Sequence, residues 1–242
     1  MRIGTPAIAR PLESEYDSGS NERGQTMAEA QAERPQEGRV ARRQRRNRKA
    51  LILAAREIMS EKGVDAATML EIADRADVGA GTIYNYFRSK DELAIAVLEA
   101  LMHNLAERIE AVTDTFEDPA QVYAFGIRTV LDTATEDERW AQMLNRSENI
   151  ADAMFRMMGP FAIRDMRRAS EAGRFQVANP ELVWRITCHA LVGVSLAIST
   201  GQVPSASREQ IIARLLCMTG IGIDAAVELA ARPRPTLPRE RF

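Results

Sequence analysis

The chain has 242 residues, 45% of them hydrophobic and 27% charged, with a formal net charge of −2, the proportions of an ordinary globular protein. Its two cysteines, Cys188 and Cys217, form no CxxC pair, which excludes a disulfide framework and suits a reducing, cytoplasmic compartment. No run approaches the ~18 consecutive apolar residues of a membrane span, and the first residues lack the apolar core of a secretion signal.

The charge is unevenly spread. Residues 1–38 carry 4 basic and 7 acidic side chains, residues 39–92 carry 12 and 8, and residues 93–242 carry 16 and 19. A positive segment on a near-neutral chain points to a localised anionic partner such as nucleic acid; the alternative is a solvated charged face.

Residues 1–38 mix Pro, Gly, Ser, Glu and Gln without apolar pattern and read as a disordered tail, with Met27 as an alternative start. The basic run follows: Arg39, Arg42, Arg43, Arg45, Arg46, Arg48 and Lys49 fill seven of eleven positions. Arg45, Arg46 and Lys49 are the best placed of these to meet a phosphate backbone. The first helix shows Leu51, Ala54, Ala55, Ile58 and Met59 on one face, and Gly63 ends it.

Thr68 and Glu71 have capping-box spacing and open a short helix with Ile72, Ala73 and Ala76 on one stripe. Asp77-Val78-Gly79 breaks it, with Gly79 as the residue free to take unusual dihedrals. A second short helix is predicted at Ala80 to Phe87. Two short helices around a tight glycine-bearing turn are the helix-turn-helix pattern. Only Ile83 and Phe87 of the second helix are plain core residues. Gly81, Thr82, Tyr84, Asn85 and Tyr86 supply groups that reach phosphates and base edges; alternatively the tyrosines pack inward. Ser89 and Glu92 form another capping box, and Lys90 in the first turn beyond it makes a natural phosphate clamp.

Thr68, Ile72-Ala73, Ala76, Val78, Gly81-Thr82-Ile83-Tyr84-Asn85-Tyr86-Phe87 and Ser89-Lys90-Asp91-Glu92-Leu93 together resemble the DNA-binding domain of TetR-type transcriptional repressors. The resemblance covers about 50 residues, Arg43 to Leu93. It departs at Gly79 and Ala80, where the family often has Ser and a polar or basic residue. It implies DNA contacts from Arg45, Arg46, Lys49, Thr68, Gly81, Thr82, Tyr84, Asn85, Tyr86 and Lys90. It also implies a homodimer on double-stranded DNA carrying a palindromic operator, a small-molecule effector, and a nucleoid-associated bacterial protein.

From about Lys90 to Thr113 runs a long helix with the stripe Leu93, Val97, Leu101, Leu105, Ile109 and Val112 and a second apolar edge at Leu98 and Met102, as expected of a strut touching two bodies. Further helices are predicted from Asp118-Pro119 to Ala134; from a Thr135–Glu138 cap through Trp140, Met143 and Leu144; onward to a break at Gly159-Pro160; then to Gly173; from Asn179-Pro180 to Thr200; and from a Ser207–Gln210 cap to Ala231. Pro233, Pro235 and Pro238 mark a disordered tail. The fold class is all-α with about nine helices. Residues 39–92 form a three-helix helix-turn-helix domain with its basic arm, 93–231 a helical ligand-binding and dimerisation domain, and 232–242 a tail.

Met102, His103, Phe125, Trp140, Met143, Phe155, Phe161, Trp184 and Cys188 read either as ordinary core or as the wall of a cavity for an apolar or aromatic ligand. Tyr123, Gln142 and His189 are polar candidates beside them. The last two helices are apolar on more than one face, so a partner subunit is the expected second cover. Ala190, Gly193, Ala197, Leu216 and Gly220 mark the close approach; the alternative is an internal core pair. His103 and His189 stand apart without acidic neighbours at ligand spacing, so neither a metal site nor a cofactor is expected. No nucleophile triad or phosphate loop suggests an enzyme. The expected function is a sequence-specific repressor released from its operator by a small ligand, with a DNA-coating protein as the alternative.

Overall fold

The computed structural model describes residues 38–136 and 147–239. The expected tail up to residue 37 and the expected helix around Trp140 and Met143 lie outside them. Helix α1 (Arg39–Ala66) is followed by α2 (Met69–Arg75), a 3-10 turn (Ile83–Asn85), α3 (Lys90–Thr113), α4 (Pro119–Glu136), α5 (Ser147–Glu171), α6 (Pro180–Ser199), a second 3-10 turn (Ser205–Ser207), α7 (Arg208–Cys217) and α8 (Ile223–Ala231). The described residues are all-helical, without strands. Residues 38–42 form the opening turn of α1, where the Arg42 N–H bonds the Gly38 carbonyl at 3.1 Å. Residues from Arg43 onward form one compact unit.

Local signals place most of the helix ends. Thr68 Oγ1 accepts the Glu71 N–H at 3.3 Å, and Glu71 Oε2 accepts the Thr68 N–H at 3.1 Å. Lys62 Nζ, 2.5 Å from Glu71, and Thr68 hold that carboxyl down at about 2. A depressed carboxylate stabilises above its ordinary range near 4.5 and loses that contribution as pH falls toward 2, so this cap is complete at neutral pH. Ser89 accepts the Glu92 N–H, Asp118 Oδ1 the Ala120 N–H, and Asn179 Oδ1 the Leu182 N–H. Each satisfies an orphan donor at a helix start.

Two hydrophobic cores share α3. The first gathers Leu51, Ala55, Ile58, Ile72, Ile83 and Phe87 onto Leu93, Ala94, Ala96 and Val97. The second begins at the next residue, Leu98, and runs through Met102, Leu105, Ala106 and Ile109 into α4 to α8. Leu101 packs against both. The expected strut is therefore present as one helix with a core at each end, each fully buried Leu or Ile in it contributing about 1.5–3 kcal/mol.

Several expectations need correction. Helix α5 runs unbroken through Gly159 and Pro160; one lost N–H bond is outweighed by packing on α3, α4 and α6. The last helix is divided: α7 ends at Cys217, and Gly220, at φ 84°, turns the chain into α8. A Cβ on Gly220 would stand 2.8 Å from Gln176 Cβ, so this glycine permits a close approach within the chain. Leu216 is fully buried inside the second core and is not on a subunit face. Thr135 is an interior residue of α4, bonded to the Leu131 carbonyl, and Ser207 makes no side-chain cap.

The stretch after α8 is held along its length. Arg128 Nη1 donates to the Arg232 carbonyl and Arg108 Nε to the Pro238 carbonyl, both at 2.7 Å. Arg234 pairs with Asp132, and Leu237 rests on the core. The strap is thus tied to two helices, to α3 through Arg108 and to α4 through Arg128 and Asp132. Burial pushes the Asp118 carboxyl up, but bonds from Arg174, the Ala120 N–H and Arg232 outweigh it and leave it below its ordinary range.

Gly220→Ala is expected to cost at least about 2 kcal/mol, from both the left-handed backbone and the contact with Gln176. That corresponds to several degrees of melting temperature. Gly193→Ala, whose Cβ meets nothing within 4 Å, removes a glycine from a helix interior and is expected to raise the unfolding midpoint by a few degrees. Thermal unfolding by circular dichroism at fixed protein concentration checks both.

Candidate nucleic-acid interface and effector cavity

Helix α2 ends in a left-handed residue, but that residue is Asp77, at φ 52°, and not Gly79. The Val78 N–H bonds the Ala73 carbonyl at 2.9 Å and the Asp77 N–H the Asp74 carbonyl at 3.1 Å. This paired closure needs φ > 0 at the residue after the cap, which a short Asp side chain tolerates. The second helix is shorter than expected. Only Ile83–Asn85 is regular, and it is 3-10; the Ile83 and Phe87 N–H groups still reach back four residues, to Gly79 and Ile83. Two glycines among Gly79, Ala80 and Gly81 weaken the first turn, since each costs roughly 1 kcal/mol against alanine in a helix. Burial of Ile83 (0%) and Phe87 (1%) fixes the segment instead.

That burial decides which face looks outward. Tyr84 is 57% exposed, Gly81 and Asn85 are exposed, and Thr82 is half-buried. Tyr86 is also half-buried and packs on the first core, so its ring serves structure. Thr68 is exposed but its hydroxyl is engaged in the cap. Lys90 Nζ donates to the Asp65 carbonyl at 2.6 Å, fastening the start of α3 to the end of α1 and leaving two N–H groups for another acceptor. Arg45, Arg46 and Lys49 are exposed. Arg46 and Lys49 have no acidic partner among the described residues, in contrast to Lys62, held by Glu71, and Arg75, held by Glu57. Arg48 was not singled out from sequence; its guanidinium lies 5.1 Å above the Phe87 ring, tying the basic run to the second helix of the motif.

The second core holds a partly open cavity of about 40 Å³ bordered by Ala106, Ile109, Tyr123, Ile127, Met158, Phe161 and Trp184, with Glu110, Thr113, Arg164 and Asp165 on its polar side. Of the expected ligand residues among the described ones, Phe161 and Trp184 line it, with Tyr123 from the polar candidates. Met102 and Cys188 are fully buried packing residues, and burial pushes the Cys188 thiol up. Phe125 sets its ring edge against Phe116 at 5.6 Å, and Phe155 lies under the Arg185 guanidinium at 3.6 Å. His103 is on the surface, 3.5 Å from Glu107, in a cleft with Arg45 and Lys49. His189, also exposed, bonds the Arg185 carbonyl. Trp140, Met143 and Gln142 lie outside the described residues.

Of the polar groups at the cavity, Tyr123 was read from sequence and Glu110, Arg164 and Asp165 were not. Tyr123 Oη lies 3.2 Å from Thr187 Oγ1, which donates its own hydrogen to the Val183 carbonyl at 2.8 Å. The tyrosine is therefore the donor of the pair; burial raises its pKa above the ordinary phenol range, and the Thr187 bond offsets this only in part. The Trp184 indole is 2% exposed, and its Nε1–H has no partner among the described residues. Arg164 bridges Glu110, at 2.8 Å, and Asp165, at 2.7 Å. Its bond to Glu110 holds Arg164 firmly protonated, while burial lifts Asp165 above the usual carboxylate range despite Arg164. The contact distances decide between these opposite indications: the ion pair is intact at neutral pH.

Family models match both halves of the chain: bacterial regulatory proteins of the tetR family over residues 51–97, and the tetracyclin repressor-like C-terminal domain over residues 118–232. The crystal structure of RolR in complex with resorcinol superposes with a TM-score of 0.73 at 30% identity, covering 82% of this chain and 100% of that one. The chain belongs to the TetR family. Among curated relatives, the transcriptional activator FasR of Mycolicibacterium smegmatis is 34% identical over 133 residues, 48% of this chain and 60% of that protein. The transcriptional repressor KstR of the same organism is 42% identical over 71 residues, 29% of this chain and 33% of its own. The matched part thus spans less than two thirds of either relative's length.

This TetR-family chain is a DNA-binding transcription regulator of a non-enzymatic class. Regulators of the family bind DNA and small molecules, act as dimers, and are soluble cytoplasmic proteins. The outward face of α6 carries Leu182 and Ile186, 55% and 46% exposed, with Ala190, Gly193 and Ala197 following at helical spacing and fully or partly open. Helix α6 is long and apolar enough by length and composition to cross a membrane, with a mean hydropathy of 1.5, a test that a core helix also passes. Glu181, Arg185 and His189 lie along it, and its other face is packed in the second core.

Tyr84→Ala is expected to weaken DNA binding by roughly tenfold or more, a lost contact to a charged group being worth about 1.5–3 kcal/mol, with the melting temperature unchanged. Lys90→Ala is expected to flatten the salt dependence of binding by about one unit per subunit. Electrophoretic shift across a salt series measures both, and unchanged affinity in both variants would remove these residues from the interface.

Proposed function

We propose that the protein is a repressor that occupies a palindromic operator as a homodimer and is released when a small apolar or aromatic molecule enters the cavity of the second core. The observation behind this is the position of α3. Ala106 and Ile109 border the cavity, and Leu93, Ala94 and Val97 of the same helix are built into the core of the DNA-binding motif. A ligand that favours a tilted α3 shifts the spacing of the two recognition segments away from successive major grooves. RolR, similar along most of this chain, binds resorcinol, which supports a small aromatic ligand. FasR is an activator and KstR a repressor, so the sign of regulation is part of what the experiment reads.

Exposed Tyr84 and Asn85, with Arg46, Lys49 and Lys90, form the proposed DNA-facing set, and the outward stripe of α6 the proposed dimer surface. The first test selects DNA fragments with the purified protein and sequences them. A palindromic consensus is expected, bound at least about a thousandfold more tightly than unrelated DNA at the same salt. Weak preference, with no releasing ligand, would instead favour a protein that coats DNA.

Two further outcomes follow. Gly193→Arg places a long charged side chain on the proposed dimer surface; light scattering is expected to show a monomer, with operator binding lost. A releasing ligand at 100 times its dissociation constant is expected to add about 2.7 kcal/mol of stability. Calorimetry and operator release, measured on the same compounds, separate stabilisation from switching, since a ligand of equal affinity for both conformations shifts nothing.

A further inference from the structure

We infer that Arg164 is the gate of the effector cavity: its guanidinium closes the entrance against Glu110, and a ligand enters when that bond opens, which also releases α3 from α5. This rests on the reading of the cavity as the effector site and adds how that site is entered and coupled. Two hollows meet here. The inner one is the apolar cavity of about 40 Å³, with Tyr123, Ile127, Met158 and Trp184 on its wall. The outer one, of about 320 Å³, is bordered by Asp114, Phe116, Glu117 and Arg168. Glu110, Thr113, Val122, Arg164 and Asp165 border both, so these five residues form the partition. A cavity of about 150 Å³ holds benzene, so even one ring has to displace part of the inner wall. The approach that displaces least starts from the roomier outer hollow.

Of the five, Arg164 is the one built to move. Its Nη2 stands 2.8 Å from Glu110, and its Nη1 bonds the same carboxylate at 3.0 Å. Both side chains keep access to water, Arg164 at 36% and Glu110 at 26% exposure, so water replaces their bond at little cost. Asp165 is different. Its side chain is 11% exposed and accepts from Arg164 Nε at 3.0 Å and Nη2 at 2.7 Å. Stripping a buried carboxylate of its donors is costly, so the Nε bond holds and the arginine pivots on it as it leaves Glu110. Thr113 is buried with its hydroxyl bonded to the Glu110 carbonyl, and the short Val122 side chain has no comparable reach. The guanidinium also lies 5.8 Å from the centre of the Phe161 ring, which lines the inner cavity, so the same swing uncovers that ring. Glu110 follows Ile109 directly in α3. Loss of its tether to α5 frees the part of α3 that walls the cavity.

The test reads the gate without a ligand, through the cavity's own tryptophan. The chain has two tryptophans, so full-length Trp140→Phe leaves Trp184, which lines the inner cavity and is 2% exposed, as the sole fluorophore. Acrylamide, small and uncharged, is the probe. Quenching of Trp184 is expected to be weak in this background, to rise several-fold on adding Arg164→Met, and to rise less on adding Glu110→Gln, which weakens the bond without removing it. Arg174→Met removes an ion pair of similar exposure, with Asp118, that borders neither hollow; it is expected to leave quenching unchanged. Without any effector, Arg164→Met and Glu110→Gln are expected to bind the selected operator several-fold more weakly than Arg174→Met, because α3 has lost its tether. Unchanged quenching in Glu110→Gln, or an equal rise in Arg174→Met, overturns the gate even if Arg164→Met fails to fold. Raised quenching with native operator affinity overturns the link from gate to α3. If quenching behaves as expected and no compound ever releases the operator, the gate stands and the proposed function falls. If a compound releases the operator at the same rate from native protein and from Glu110→Gln, the proposed function stands and the gate falls.

Discussion

The whole structure depends on α3 being one stiff object with two cores built on it. No loop intervenes between Val97, the last residue of the first core, and Leu98, the first of the second. From Leu93 to Ile109 the helix covers roughly 24 Å at 1.5 Å per residue, so a tilt of about 5° at one end displaces the other by about 2 Å. Close-packed cores resist gradual deformation, so such a tilt is taken up by the faces of the two cores sliding as units. The Lys90 bond to the Asp65 carbonyl and the Arg48 stack on Phe87 keep the DNA-binding motif moving as a piece.

The polar groups sort by how firmly they are satisfied. Caps at Thr68, Ser89, Asp118 and Asn179 are closed by their own neighbours and define helix ends. The ion cluster on Asp118 and the Arg164 bridge join separate helices and are partly shielded from water, so each matters more than an exposed pair. Among the described residues, the Trp184 Nε1–H, the Ser195 hydroxyl and the Arg208 Nε–H are buried without a hydrogen-bond partner.

The helix starts were legible because a cap is settled by three or four consecutive residues. Thr68–Glu71, Asp118-Pro119 and Asn179-Pro180 needed no knowledge of distant contacts. The division of α3 between two cores was legible as well, since an apolar stripe with a second edge at Leu98 and Met102 has to be covered twice. What could not be read depends on residues far apart in the chain. Pro160 breaks an isolated helix, but α5 is clamped by three neighbours. Gly220 looks like a helix-contact glycine until Gln176 is found against it. Met102, Phe125, Phe155 and Cys188 have the composition of a pocket wall yet fill space, because which bulky residue borders a void is set by packing. Arg164 and Asp165 carry no local signal of their role, since only the fold brings Glu110 to Arg164.

The strap after α8 has a practical side. Its anchors reach α3 at Arg108 and α4 at Arg128 and Asp132, so this stretch is wired into two of the helices that wall the cavity. Trimming it by carboxypeptidase, or fusing a reporter close behind Pro238, would disturb those two helices as well as the chain end. Affinity handles and fluorescent fusions therefore belong on the other end of the molecule, ahead of the basic run.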